Sequence, residues 1–168
     1  DKDRYDVVVN NTRSRFICDT SDIESNDNGI NVVINTSGQR LKMFTGGVIR
    51  AVDAGATGKQ EFNETNILKN ALSLIDNSST SETVLELQKG QYLTDVNQLQ
   101  LSLPNNKTIR GLSSGYDSVF RCSVDNTVDR NTIDGLTGWL LKIGADGQTE
   151  AAEFALDSVT FDLRNNSG

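Results

Sequence analysis

Two stretches decide the fold: residues 63–76, NETNILKNALSLID, and residues 84–111, VLELQKGQYLTDVNQLQLSLPNNKTIRG. In the first, apolar residues recur at the spacing of one helix face: Ile67, Leu68, Ala71, Leu72 and Ile75. Asn63 is the predicted N-cap, because asparagine accepts hydrogen bonds from the first free amides of a helix. The stretch therefore predicts one amphipathic helix.

The second stretch begins a run of short apolar segments separated by Gly, Asn, Ser and Asp. They predict strands at 84–87, 99–103, 108–110, 118–123, 139–143 and 154–161, the last with a break near Asp157. No second helical pattern connects them, whereas parallel strands normally need a long crossover. A chain that coils can stack strands in parallel without such helices. The pattern therefore favours coiled, parallel strands, and an antiparallel sandwich is the alternative.

Upstream, residues 1–50 predict a small β region. Strands are indicated at 5–9, 15–18, 29–34 and 40–44, with the last two forming a hairpin. Gly46 and Gly47 then break the pattern. Four short strands bury little surface, so this region is expected to need a partner, either the following domain or copies of itself.

Composition excludes several functions. The net charge is −7 and the cations are scattered, which argues against nucleic acid and against anionic membrane surfaces. The chain has no histidine and two cysteines, which argues against a zinc site and excludes histidine-based catalysis. Cys18 and Cys122 are expected to be buried thiols, no apolar run predicts membrane insertion, and no cofactor is predicted.

Four motifs resemble those of pectate-lyase-like β-helix proteins, in the same order. The first joins VDAGATG at 52–58 to NETNILKNAL at 63–72 and is similar to the motif that begins the β-helix. The later ones are VLELQKGQY at 84–92, LSLPNNKTIRG at 101–111 and FALDSVTFD at 154–162. The chain departs from the family pattern at three places: Ala54 replaces an aromatic, Lys59-Gln60 replaces Asp-Gly, and Gln88 replaces a proline.

The resemblance implies a mainly β fold. A small N-terminal β linker at 1–50 would precede a right-handed parallel β-helix at 51–168, with a capping helix at about 63–76 and the chain ending within the first coils. The helix would cover the open end, where strand backbone and apolar core are otherwise exposed. The residues expected to point inward are Leu85, Leu87, Ile109, Phe120, Trp139, Leu141, Ile143, Val159 and Phe161.

A β appendage before such a motif resembles bacteriophage tailspikes. That likeness implies a homotrimer in the virion, located in the phage tail, with other tail or baseplate proteins as partners. It also implies a β-helix that binds, and often cleaves, a bacterial surface polysaccharide. Residues 1–168 are expected to assemble and anchor, to be inactive alone, and to precede any depolymerase site. The alternatives are an extracellular polysaccharide lyase or glycosidase of cellular origin, and a bacterial surface adhesin.

The sequence predicts no catalytic residue. A carboxylate pair for glycoside hydrolysis could come from Asp157 and Asp162, with Asp162 predicted to point outward, but turn and surface roles are favoured. The same holds for a loop containing Asp125, Asp129, Arg130 and Asp134.

Three aromatic residues could stack on sugar rings, and for each a structural role is favoured. Trp139 is expected in the core, and Tyr92 and Tyr116 at turns or rims. Residues 55–59, GATGK, lack the first glycine of a phosphate loop, and Gln60 follows the lysine.

Overall fold

A computed structural model describes residues 4–9, 12–76, 82–95, 98–112, 117–122, 140–144 and 153–162. Its strands are β1 (Arg4–Val9), β2 (Thr12–Cys18), β3 (Val32–Ile34), β4 (Arg40–Met43), β5 (Val48–Arg50), β6 (Val84–Leu87), β7 (Gly90–Thr94), β8 (Leu99–Leu101), β9 (Lys107–Gly111), β10 (Ser118–Cys122), β11 (Leu141–Ile143), β12 (Phe154–Asp157) and β13 (Val159–Asp162). Helix α1 (Thr65–Ile75) is the only helix in the described part of the chain. The prediction of a mainly β fold with one helix is confirmed.

The first four strands form an antiparallel sheet in the order β1-β2-β4-β3. The predicted hairpin is confirmed, since Val33 pairs with Leu41 across β3 and β4. Along β2 the inward residues alternate with exposed arginines, as a half-buried strand requires. The core of this sheet is small, and its buried residues among the described side chains are Phe16, Cys18 and Leu41.

The remaining strands form three small parallel sheets. The first is β5-β6-β9-β12, the second β7-β10-β13 and the third β8-β11. The chain visits the three sheets in rotation: β6, β7 and β8 are followed by β9, β10 and β11, and then by β12 and β13. From β6 onward, each strand therefore pairs with a strand from an earlier or later round and not with its immediate successor.

In-register pairing places like residues above one another. In the first parallel sheet Ile49, Leu85 and Ile109 form a column, and all three are fully buried. In the second sheet the rings of Phe120 and Phe161 stack with centroids 5.3 Å apart. Successive side chains of a strand point to opposite faces of its sheet. Apolar residues at matching positions of stacked strands therefore form a continuous core on one face.

Helix α1 covers one side of this core. It packs against β5, β6 and β8, which are edge strands or the neighbours of edge strands in two of the parallel sheets. Its apolar face is buried as predicted, through Leu68, Ala71, Leu72 and Ile75. It is not long and apolar enough to cross a membrane, and no other helix is present among the described residues.

The start of α1 corrects the predicted cap by one residue. Glu64, not Asn63, occupies the N-cap position, and its side chain makes no capping hydrogen bond. The Asn63 side chain still accepts a hydrogen bond from the Thr65 amide at 3.0 Å. The segment before the helix also pairs with β7 through a bridge between Asn63 and Leu93. Asn63 thus pairs with β7, and the helix begins at Thr65, one residue later than the sequence pattern predicts.

The antiparallel sheet joins the parallel sheets at Gly46 and Gly47, whose φ angles of 59° and 87° suit glycine. The Gly47 carbonyl accepts hydrogen bonds from the amides of Thr83 and Val84, at 2.8 and 3.1 Å. Pairing changes from antiparallel to parallel at β5, which the sequence reading did not predict as a strand.

The inward residues divide into three groups. Leu85, Leu87, Ile109 and Phe120 are buried as predicted, and Leu141, Val159 and Phe161 are partly buried against the core. Ile143, the last residue of β11, was expected inside but is 38% exposed. Trp139 lies outside the described residues.

Candidate functional site

The proposed carboxylate pair is not assembled as a hydrolytic site. Asp162 was predicted to point outward but is buried, and both Nη2 and Nε of Arg121 donate to its Oδ2, at 2.9 and 3.2 Å. Asp157 is exposed and ends β12, in a different parallel sheet, and it accepts a hydrogen bond from the Ser158 hydroxyl. A buried carboxylate held by an arginine suits an internal ion pair.

Tyr92 is a core residue and not a rim aromatic, which corrects its prediction. It lies in β7, is 1% exposed, and donates its hydroxyl to the Gln88 carbonyl at 2.9 Å. Burial raises the pKa of Tyr92, and the nearby charge of Glu64 adds to that effect. The other candidates lie outside the described residues: Tyr116, Asp125, Asp129, Arg130 and Asp134.

The backbone amides of the loop at 55–59 bind a carboxylate from the chain itself. Oε1 of the fully buried Glu64 accepts hydrogen bonds from the Thr57 amide and hydroxyl, both at 2.6 Å, and from the Gly58 amide at 3.1 Å. The Glu64 amide donates to the Leu93 carbonyl at 2.8 Å. Glu64 therefore joins this loop, α1 and β7 in a structural role.

A cleft opens between the antiparallel sheet and the outer face of the first parallel sheet. We call it the junction cleft, and its volume is about 440 Å³. Its lining includes Arg13, Arg15, Phe44, Arg50, Asp53, Glu86 and Arg110. A neighbouring cavity of about 470 Å³ shares Arg13, Arg15 and Phe44 and adds Asp6. Within the described surface, several arginine side chains and the exposed ring of Phe44 line the junction cleft together.

The inner wall of the junction cleft is electrically balanced. Arg50 makes two hydrogen bonds of 2.7 Å to the carboxylate of Asp53, which raises the pKa of the guanidinium. Arg110 donates twice to one oxygen of Glu86, at 2.9 and 2.6 Å. Asp53 also accepts a hydrogen bond from Ser14 at 3.2 Å. The two ion pairs lie within the parallel-sheet side of the cleft, and the Ser14–Asp53 hydrogen bond connects the antiparallel sheet to it.

The outer wall carries an excess of positive charge. Arg13 and Arg15 are alternate residues of β2, with side chains 76% and 67% exposed. Among the described residues a single carboxylate, Asp6, pairs with both, at 3.4 Å from Arg13 and 4.0 Å from Arg15. Phe44, directly after β4, is 77% exposed beside them. Two guanidinium groups thus share one acid next to an apolar ring, a composition typical of protein contacts.

Residues 19–25 form a second surface, which we call the acidic loop. It follows Cys18, at the end of β2 away from Arg13. Asp22 accepts hydrogen bonds from the amides of Glu24 and Ser25, at 3.0 and 2.9 Å, and pairs with Lys42 at 2.8 Å. The loop exposes Ile23 by 75% and also exposes Glu24. Its carboxylate-anchored turn holds these two side chains at the surface.

Neither surface was predicted from the sequence. The alternation of Arg13 and Arg15 in β2, and a phenylalanine just before two glycines, were available signals for the cleft. Nothing local, however, indicates that Arg50 and Arg110 lie beside them. Among the described residues, no group of three His, Cys, Asp or Glu side chains could hold a metal ion.

Searches of protein-family models and of curated proteins give no match for this chain.

Proposed function

We propose that this chain is the first part of a right-handed parallel β-helix in a phage tailspike that attaches to bacterial surface polysaccharide. The rotation of successive strands among three parallel sheets carries the proposal, because a coiled chain produces that order. Crossovers between parallel strands are right-handed in nearly all proteins, which supports the handedness. The four sequence motifs provide the link to the pectate-lyase-like class.

The antiparallel sheet is proposed to serve assembly. Its core is small, and within the described residues β1 and β3 each have one hydrogen-bonded neighbour. Small sheets with free edges gain stability from a further partner. A homotrimer, docked on other tail or baseplate proteins, would supply it.

Location in the virion is the deciding test. Antibodies raised against residues 1–168 should detect the protein in phage particles purified on a density gradient from the source culture. Detection in the particle-free supernatant alone would contradict the tailspike and favour the extracellular lyase or glycosidase.

The purified chain, residues 1–168, is predicted not to cleave polysaccharide. The basis is that Asp157 and Asp162 lie in different sheets and that Asp162 is bound to Arg121. Incubation with capsule or lipopolysaccharide should release no reducing ends above a boiled control. Release that disappears in Asp157→Asn would contradict this and make Asp157 catalytic.

A further inference from the structure

We propose that the junction cleft of one copy receives the acidic loop of a second copy, so that Ile23 and Glu24 contact Phe44, Arg13 and Arg15. This inference rests on the proposed trimer and names the contact that forms it. The occupant is a second copy of this chain, because the chain itself carries the complementary surface.

The chemistry of the two surfaces matches group by group. The cleft offers an apolar ring and two exposed guanidinium groups that share Asp6, the one acid paired with them among the described residues. The loop offers an apolar side chain and an adjacent carboxylate. Within the described residues the Glu24 backbone amide donates to Asp22, whereas the exposed Glu24 carboxylate makes no hydrogen bond or ion pair. One surplus positive charge therefore meets one available negative charge, next to an apolar pair.

Within one copy the two surfaces cannot meet. Arg13 is near the beginning of β2, whereas the loop starts after Cys18 at its end. Five residues of extended strand separate these positions by about 17 Å. In the antiparallel pairing of β2 with β4, Phe16 pairs with Met43 and Cys18 with Leu41. Phe44 therefore lies towards the Arg13 end of β2, away from the end at which the loop starts. The contact must therefore be made between copies.

A contact between two different surfaces has consequences for symmetry. Each copy would donate its loop to one neighbour and receive a loop from the other, which is a head-to-tail interface and closes into a ring when three rotations complete a full turn. The loop is held in advance by the Asp22 carboxylate, so little conformational freedom is lost on docking. Three such contacts around an axis give the proposed trimer.

Charge reversal and its rescue test the pairing directly. We would measure mass by light scattering, over a concentration series, for wild type, Arg15→Glu, Glu24→Arg and the double variant. All changes are at exposed side chains, so unchanged circular dichroism is expected. Arg4→Glu and Glu61→Arg are the matched controls, because both residues are exposed outside the cleft and the loop.

Each single reversal should weaken association at least tenfold, and the double variant should recover most of that loss. Phe44→Ser and Ile23→Ser should each weaken association several-fold, whereas Phe62→Ser, at another exposed phenylalanine, should not. A trimer that is indifferent to Arg15 and Glu24, or a double variant no better than the singles, overturns this contact and leaves the tailspike proposal standing.

Two further results would also overturn it. A monomeric wild type removes the trimer and the contact together. Binding of an acidic oligosaccharide that Arg15→Glu abolishes, with the trimer mass unchanged, would make the cleft a saccharide site instead.

Discussion

The antiparallel sheet and the parallel sheets of this chain are stabilised in different ways. Among the described side chains the antiparallel sheet buries three core residues, and side-chain hydrogen bonds such as those of Asp22 hold its turns. The parallel sheets share one large core, built from in-register columns and covered by α1. The difference shows that strands stacked in repeated rounds bury a larger core than four short strands can bury.

The largest effect is expected for Leu72→Asp in α1, with Leu68→Asp as a second variant. Either places a charge against the shared core, so the free energy of unfolding should fall by about 3 kcal/mol or more. Urea unfolding followed by circular dichroism measures it. Asn70→Asp, at an exposed position of the same helix, is the control. Equal stability of Leu72→Asp and Asn70→Asp would show that α1 does not cover the core.

Phe16→Ala should remove the main core residue of the antiparallel sheet. A loss of about 3 kcal/mol is expected, confined to that sheet because its core is separate from the large one. Amide hydrogen exchange should accelerate in β1–β4 while β6 and β9 stay protected. Equal acceleration in the parallel strands would mean that the two regions unfold as one unit.

Glu64→Gln tests the connection between the loop at 57–58, α1 and β7. The amide group replaces a charged acceptor of three hydrogen bonds, so a loss of about 2 kcal/mol is expected. Thermal unfolding of this variant and of the exposed-site control Glu61→Gln would be compared. Matching midpoints would contradict the structural role of Glu64.

The smallest effect concerns acid. Hydrogen bonds from Ser21 and Lys42 lower the pKa of Asp19 to about 2, and Lys42 and Ser25 hold the pKa of Asp22 lower still. Because these pKa values lie below the unfolded value, the carboxylates stabilise the loop above about pH 4. That contribution is lost as the pH falls towards 2. Amide chemical shifts of Ser21 and Ser25 should move in this range while those of β6 stay constant, and movement above pH 5 would contradict it.

Local patterns in the sequence determined the elements. The apolar spacing from Ile67 to Ile75 required a helix, the run VLEL at 84–87 became β6 without adjustment, and the β3–β4 hairpin followed from its turn residues. Such signals depend on neighbours a few positions apart, which the chain carries in its own order. Two strands were missed. The three residues of β5, VIR, follow two glycines and give too short a pattern, and β7 begins at a glycine and contains Tyr92, which was expected at a turn or rim.

Only the tertiary structure decided which residues meet. Tyr92 was expected at a rim and Asp162 at the surface, but both are buried because β7 and β13 pair with β10. Arg15, Arg50 and Arg110 are far apart in the chain, and the junction cleft unites them because sheet pairing brings their strands together. The local sequence indicates which residues of a strand share a face. Which neighbouring strand packs beside that face depends on pairing with distant parts of the chain. The sequence by itself therefore determined the helix and most of the strands, and the pairing of the sheets decided where charge and apolar surface remain exposed.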